Sequence, residues 1–298
     1  MSSGQHKFRK SGSDYALLLF IGISAVATAL LILAPLVSGI LLSFFSIDSF
    51  SASAPPAFAG LANFAKVLSA HDFYNALGNG AYFSAASVFV QLLLAMAVAL
   101  LLNTSFPGRS LVRAALVLPM LVPPVVATVL FRWMSNESFG IISIELRALG
   151  FDAIAWNTPD LAMLQIVLLG MWLWTPFMIV SILAELQSVP PALYEAARVD
   201  GANSLQRFFH ITLPHLANVI GIIVLLRMIW TFNNFELIWL TTGGGPLGAT
   251  ETLPVLAYRQ SFTMFNLGFG AAIATLSFAM LLAVVLVATR FLTVAKED

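Results

Sequence analysis

The sequence predicts an all-α integral membrane protein with six transmembrane helices, and two observations carry that reading. Of its 298 residues, 59% are hydrophobic and 9% are charged, against about 45–50% and about 25% in soluble domains. Polar surface is already scarce on ordinary proteins, so the solvent for most of this chain is lipid. The uncharged stretches, moreover, recur at lengths near the about 20 residues that one helical crossing requires. They show no alternation of period 2, and barrel strands need only about 9–11 residues. Backbone groups in hydrocarbon must pair within their own segment, which makes the crossings helices.

Composition also removes whole classes of function. The 14 Lys and Arg balance the 14 Asp and Glu, leaving no general attraction for nucleic-acid phosphate. With no cysteine, disulfides, zinc fingers, Fe–S clusters and thiol catalysis are excluded. The four histidines are scattered, so no metal site is expected. No Ser/His or paired-carboxylate arrangement sits at membrane depth, so no catalytic residue is expected either.

Residues 1–14 read as a tail, 15–292 as one transmembrane domain and 293–298 as a second tail. The spans fall near 16–43, 80–102, 114–131, 161–183, 216–240 and 267–292. The first is too long and lacks a convincing small-residue cleavage site for a signal peptide; it tilts or projects beyond Pro35. Pro119, Pro123 and Pro124 in the third span and Pro176 in the fourth interrupt helical hydrogen bonds and bend those helices, as gate hinges or as static shaping. Thr275 and Ser277 in the sixth line a path or bond back to their own helix. Turn-forming residues, Ala54, Pro55 and Pro56 in one loop and Gly243, Gly244, Gly245 and Pro246 in another, punctuate the connections.

Lys and Arg set the orientation. With a cytoplasmic N-terminus, that side holds Lys7, Arg9, Lys10, Arg109, Arg113, Arg198, Arg207, Arg290 and Lys296. The other side holds Lys66, Arg147 and Arg259, with Arg132 at a span edge and Arg227 inside a span. The positive-inside rule then places both termini in the cytoplasm.

The stretch 185–214 is the longest polar insertion on the inner side. Pro190 and Pro191 suit the first turn of a helix, where a missing N–H costs nothing, and residues 192–198 are mostly good helix formers. Asp200 and Gly201 read as a stop, with Gly201 in the left-handed conformation. A second short helix fits 204–210, capped by Ser204 or Asn203 and broken by Pro214. From the residues alone this is either a solvated connection or a docking element.

A resemblance favours the second. Glu195, Ala196, Ala197, Gly201, Ile211, Leu213 and Pro214, at this spacing, match the EAA signature of binding-protein-dependent ABC importer permeases. The resemblance implies a type I (MetI-like) permease fold and a coupling helix that docks into a cytoplasmic ATPase. Carried onto this chain, Glu195, Ala196, Ala197 and Gly201, with Arg198 and Asp200 between them, form the docking element. Ile211, Leu213 and Pro214 secure it to the membrane core.

Other segments resemble the sugar-importing branch, of the first-permease type found in maltose and glycerol-phosphate systems. Gly60, Leu61, Asn63 and Phe64 look like its GL-x-NF segment. Phe232, Asn233 and Phe235, followed by Leu240, Thr241, Gly243, Gly244 and Gly245 to Pro246, look like its FN-x-F and LT-x-GGP segments, and Thr250 and Tyr258 continue the pattern. The branch implies a second, similar permease subunit, two copies of a cytoplasmic ABC ATPase and an extracytoplasmic solute-binding protein. It also implies a bacterial or archaeal plasma (inner) membrane, crossed many times. No G-x-x-x-x-G-K-S/T phosphate loop occurs, so this chain is expected to bind no cofactor, ATP and magnesium being used by the partner ATPase.

Polar groups inside lipid are functional candidates by default. At about 100° per residue, Arg227 and Glu236 on one continuous fifth span would face opposite sides. Sugars need hydrogen-bond partners for hydroxyls, offered by Asn233, Asn234 and Glu236, and flat apolar surfaces, offered by Trp230, Trp239 and by Trp172 or Trp174. The resemblance puts sugar contacts on asparagine of the FN-x-F segment. The competing reading makes the asparagines interhelical glue, and tryptophans such as Trp133, Trp156 and Trp239 interfacial anchors. The function expected is the permease subunit of an ATP-driven sugar or polyol importer working by alternating access. The alternative is an ion-coupled secondary transporter, for which Arg227 and Glu236 at membrane depth would be the evidence.

Overall fold

A computed structural model describes residues 12–47 and 56–294. Most of the tails, and the turn expected at 54–56 apart from Pro56, lie outside the described residues. The chain opens with α1 (Gly12–Leu42), a two-residue antiparallel pair β1 (Phe45–Ser46) and β2 (Ala57–Phe58), α2 (Ala62–Ser69) and α3 (His71–Asn103). Then come α4 (Arg109–Leu121), α5 (Pro124–Met134), α6 (Ile141–Ala148) and α7 (Ala162–Leu186). The second half holds α8 (Pro191–Val199), α9 (Ser204–Arg207), a π turn (Phe208–Thr212) and α10 (Leu213–Phe232). It ends with α11 (Glu236–Thr241), α12 (Leu253–Tyr258), a second π turn (Arg259–Thr263) and α13 (Leu267–Val294).

Among the described residues five helices are long and apolar enough to cross a membrane, and the bent pair α4–α5, counted as one crossing, brings the number to six. The helix over the third predicted span is no simple bent rod: α4 and α5 meet at 96°. Pro123 and Pro124 follow Val122, whose backbone is extended (φ −80°, ψ 123°), as the residue before a proline prefers. Pro124 then starts α5, where its missing N–H is harmless. Pro176 lies inside α7 without ending it.

The core is organised on α7. Over its most apolar window 61% of residues are buried, against 0% for α1, so α7 is the central post and α1 lies on the outside. One cluster packs Phe83 of α3, Met163, Ile166 and Leu173 of α7, and Leu237 and Ile238 of α11. A second packs Ala95 and Ala99 of α3 against Met178 and Ile182 of α7 and Leu216 and Ile223 of α10. Small residues allow the close approach on which helix association in lipid depends, because burying apolar surface gains little there. A third cluster joins Val67, Phe73, Leu253, Leu256 and Ile273 at the opposite end of the bundle from the 185–214 loop.

Buried polar groups fix the register between helices. Arg227, 3% exposed, donates from Nε to Gln91 Oε1 at 3.2 Å and from Nη2 to Thr231 at 3.4 Å. Its guanidinium lies 5.0 Å from the ring centroid of Trp174. Buried Asn63 donates to the carbonyls of Ser43 and Phe45, both at 2.9 Å, tying α2 to the end of α1. Thr275 bonds back to Ala271 of its own helix at 2.8 Å.

Candidate functional site in the exposed loop and the broken fifth span

Between α7 and α10 the chain builds a compact element. Pro190, with extended backbone, precedes Pro191 at the first position of α8. The helix ends as glycine dictates: Gly201 has φ +79°, Ala202 N–H donates to Ala197 O at 2.9 Å, and Gly201 N–H to Arg198 O at 3.1 Å. This paired closure is a Schellman motif, and it uses the last alanine of the EAA run and the glycine of the signature. Asn203, rather than Ser204, caps the next helix. Its side chain accepts from Gln206 N–H at 2.9 Å while Gln206 Oε1 accepts from Asn203 N–H at 2.8 Å, a reciprocal box that satisfies two free N–H donors.

Pro214 does not break the second helix, contrary to the sequence-based expectation. Helix runs on from Ser204 to Phe232 through the π turn, where Leu213 N–H reaches back to Phe208 O. A proline ring clashes with the carbonyl four residues earlier, and one widened turn relieves that clash. The loop is therefore continuous with the span α10.

The loop is joined to the bundle and open at its surface. Tyr194 Oη and Thr212 Oγ1 share a hydrogen bond of 2.9 Å, and Thr212 is 4% exposed. Ser188 Oγ bonds His215 Nε2 at 2.9 Å, and His215 lies 3.4 Å from Glu185. Glu195, Ala196, Arg198 and Asp200 are exposed and Ala197 partly so. Exposed Leu193, Val199, Leu205 and Phe209 add apolar surface to this polar element. Ile211 and Leu213 are half-buried and Pro214 is exposed; buried Thr212, which the motif does not specify, makes the tie to α8. A tyrosine inside a short polar helix was the available signal for it.

The second region is the break in the fifth span. The crossing expected at 216–240 is not one helix: α10 stops at Phe232 and α11 starts at Glu236. Asparagine side chains compete with the helical backbone for hydrogen bonds, and both asparagines do so. Asn233 caps α10 and donates from Nδ2 to Ile229 O at 3.2 Å. Asn234 Oδ1 accepts from Leu237 N–H at 2.9 Å, opening α11. The angular relation expected between Arg227 and Glu236 therefore fails, because it assumes unbroken helix. Arg227 is committed to Gln91, Thr231 and Trp174, while Glu236 is exposed on α11; the two form no ion pair.

The aromatic candidates divide. Trp239 stacks on Phe235 at 5.6 Å and meets Tyr258 at 4.8 Å. Trp230 is half-exposed and packs on Phe177 at 5.5 Å. Trp172 is also half-exposed and shares no ring contact or hydrogen bond with the others among the described residues. Thr250, fully buried, donates to Gly245 O at 2.7 Å and bonds Thr242 at 2.7 Å. Asn79 of α3 donates to Gly248 O and Glu251 O, both at 3.0 Å. Arg259 bonds Glu251 at 2.9 Å with Asp72 at 3.6 Å. Burial pushes the Glu251 carboxyl above its ordinary value, Arg259 opposes that shift, and Asp72 adds to it. The threonine and glycines of the sequence pattern thus build a loop held by its own hydrogen bonds and by Asn79.

Interrupted spans, Arg227 buried without a counter-ion among the described residues, and an exposed helical element continuous with a span are the features of a membrane transport component. Residues 91–294 match the family described as binding-protein-dependent transport system inner membrane component. The chain belongs to that family. It is 38% identical over 231 residues, 77% of this chain and 78% of the relative, to the trehalose/maltose transport system permease protein MalF of Thermococcus litoralis. It is 32% identical, over 94% of this chain and 91% of the relative, to the sulfoquinovosyl glycerol transport system permease protein SmoG of Agrobacterium fabrum. Its fold matches a chain of a bacterial ABC transporter involved in the import of the acidic polysaccharide alginate. That match has a TM-score of 0.81 at 22% identity and covers 93% of this chain and 95% of that one. The fold is the type I (MetI-like) permease fold of ABC importers, and the protein is a multi-pass inner-membrane component, itself non-catalytic.

Proposed function

We propose that this chain is the first-type permease subunit of an ATP-driven carbohydrate importer, pairing with a second permease, two cytoplasmic ABC ATPases and an extracytoplasmic binding protein. Both termini and the 185–214 loop face the cytoplasm, and the chain itself binds no cofactor; ATP and magnesium belong to the ATPase. The observation that carries the reading is the exposed α8, closed at Gly201 and bonded through Tyr194 to the π turn that leads into α10. A rigid element so attached converts closure of a docked ATPase into movement of the span, a hinge-type transition. Glu195, Ala196, Ala197, Arg198, Asp200 and Gly201 are its docking residues.

Carbohydrate is the substrate class common to the names of the relatives: trehalose or maltose, a sulfosugar glycoside, and a polysaccharide. Within the break, Asn233 and Glu236 are exposed and available to hydroxyls, with Trp230 and Trp239 nearby in sequence as ring surfaces; Asn234 serves mainly as a cap. Trp172 is the weakest of these candidates. Against an ion-coupled transporter, Arg227 is satisfied inside the bundle by uncharged partners.

The test is uptake by the reconstituted complex, with binding protein and ATP, of trehalose, maltose, sulfoquinovosyl glycerol, alginate oligosaccharide and glycerol phosphate. ATP-dependent uptake of a member of this panel is expected. Uptake by the purified chain alone without ATP would restore the ion-coupled reading, and no uptake of any member rejects a carbohydrate importer.

A further inference from the structure

At the end of the bundle opposite α8, the structure holds a cavity of about 640 Å³, within the about 300–1,000 Å³ range of small-molecule sites. The ends of α5 and α11, the loop before α7 and the first turns of α7 enclose it. We propose that this cavity is a carbohydrate subsite at the outer mouth of the pathway, lined by Trp239 but by neither Asn233 nor Glu236; the proposal rests on the import reading above.

Its polar groups are held in place and left with hydrogen-bonding capacity. Gln165, 7% exposed, donates to Ser135 Oγ at 2.7 Å, and its amide oxygen has no partner among the described residues. Trp156 lines the same space with its ring, its Nε1 being enclosed by the protein. Arg132 is anchored by Nη1 on Leu240 O at 3.0 Å, with the rest of its fork of donors still free to serve a ligand. Trp239 is fixed from behind by Phe235 and Tyr258.

Donors, an acceptor and two indole rings therefore converge on one space. A hydroxylated ring needs both partners for its hydroxyls and flat apolar surface for its faces. An apolar ligand would desolvate the Gln165 oxygen and the free Arg132 donors without pairing them, at a cost. A phosphate would meet Glu137, which also lines the cavity. The chain, having no cysteine, offers a clean reporter.

The experiment places Asn157→Cys, on the cavity wall, in the reconstituted complex and labels it with a membrane-impermeant maleimide. The binding protein is omitted, so that its docking does not shield the site, and the probe is the carbohydrate identified by the uptake panel. That carbohydrate is expected to slow labelling several-fold, leaving Leu247→Cys, at a position 97% exposed, unaffected. Adding Arg132→Gln, which removes the free guanidinium donors on the cavity wall, raises the concentration for half-protection about threefold to tenfold, the worth of one hydrogen bond. Ser138→Cys repeats the measurement on the same cavity should Asn157→Cys fail to assemble. Equal labelling with and without a carbohydrate that is still taken up overturns the subsite and leaves the import reading standing. A complex that takes up no carbohydrate overturns both.

Discussion

Tyr194 on α8 and Thr212 in the π turn share one hydrogen bond of 2.9 Å, and it joins the exposed helix to the start of a membrane span. Removing either hydroxyl removes the same bond, worth about 0.5–1.5 kcal/mol. Tyr194→Phe and Thr212→Val are each expected to lower the transport rate at normal membrane abundance. The double variant is expected to be no worse than the more affected single variant, since residues in one bond are not additive. Uptake rates of the three variants check this; two independent, multiplying losses would contradict it.

Gly201 closes α8 at φ +79° in open space, with nothing within 4 Å of the position a Cβ would take. The whole cost of a side chain there is conformational, about 1–2 kcal/mol for ordinary residues. Gly201→Val is expected to insert normally yet lose transport and ATPase association. Gly201→Asn, whose side chain tolerates the left-handed region, is expected to retain substantially more. Co-purification of the ATPase with each variant measures the difference.

Gln91 and Arg227 predict a second non-additive pair. Gln91→Leu leaves a buried guanidinium without its acceptor on α3, at about 1.5–3 kcal/mol for a hydrogen bond to a charged group. Arg227→Met removes the charge as well, so the double variant Gln91→Leu with Arg227→Met is expected to be more stable than Gln91→Leu alone. Thermal unfolding of the purified complex decides it, and a double variant less stable than both singles would sink the assignment.

Much of the architecture was legible because lipid enforces it. Charges mark the ends of apolar runs, and helices are the structures that satisfy the backbone between them. The loop was legible for a different reason: Pro191, Gly201 and Asn203 act through local backbone geometry that sequence states directly. What stayed hidden depends on neighbours distant in the chain. Gln91 meets Arg227 across 136 positions, and the only sign of it was one amide side chain in an apolar run. The break at Asn233 and Asn234 stayed hidden because a continuous span and a broken one begin from the same two residues. Only the cap on Leu237 N–H separates them. Pro214 misled in the other direction, since a π turn absorbs what an α turn does not.

The break separates the two asparagines by function. Asn234→Ala removes the cap of α11, at about 1 kcal/mol, and Asn234→Asp, which still accepts from Leu237 N–H, is expected to restore stability. Glu236→Gln is expected to alter carbohydrate selectivity with little effect on melting temperature, and Asn233→Ala to alter it while losing one exposed hydrogen bond to Ile229 O. Side-by-side transport kinetics and thermal melts test the split, and unchanged selectivity in both Asn233→Ala and Glu236→Gln would remove them from the substrate path.

The most direct measurement is a crosslink from α8. Glu195→Cys supplies the chain with its one cysteine, on an exposed helix, in the complete complex. A short bifunctional reagent is expected to join it to the cytoplasmic ATPase in good yield, and adding ATP is expected to change that yield. If Glu195→Cys supports ATP-driven uptake yet never crosslinks to the ATPase, with or without nucleotide, α8 is not the coupling element and the account fails.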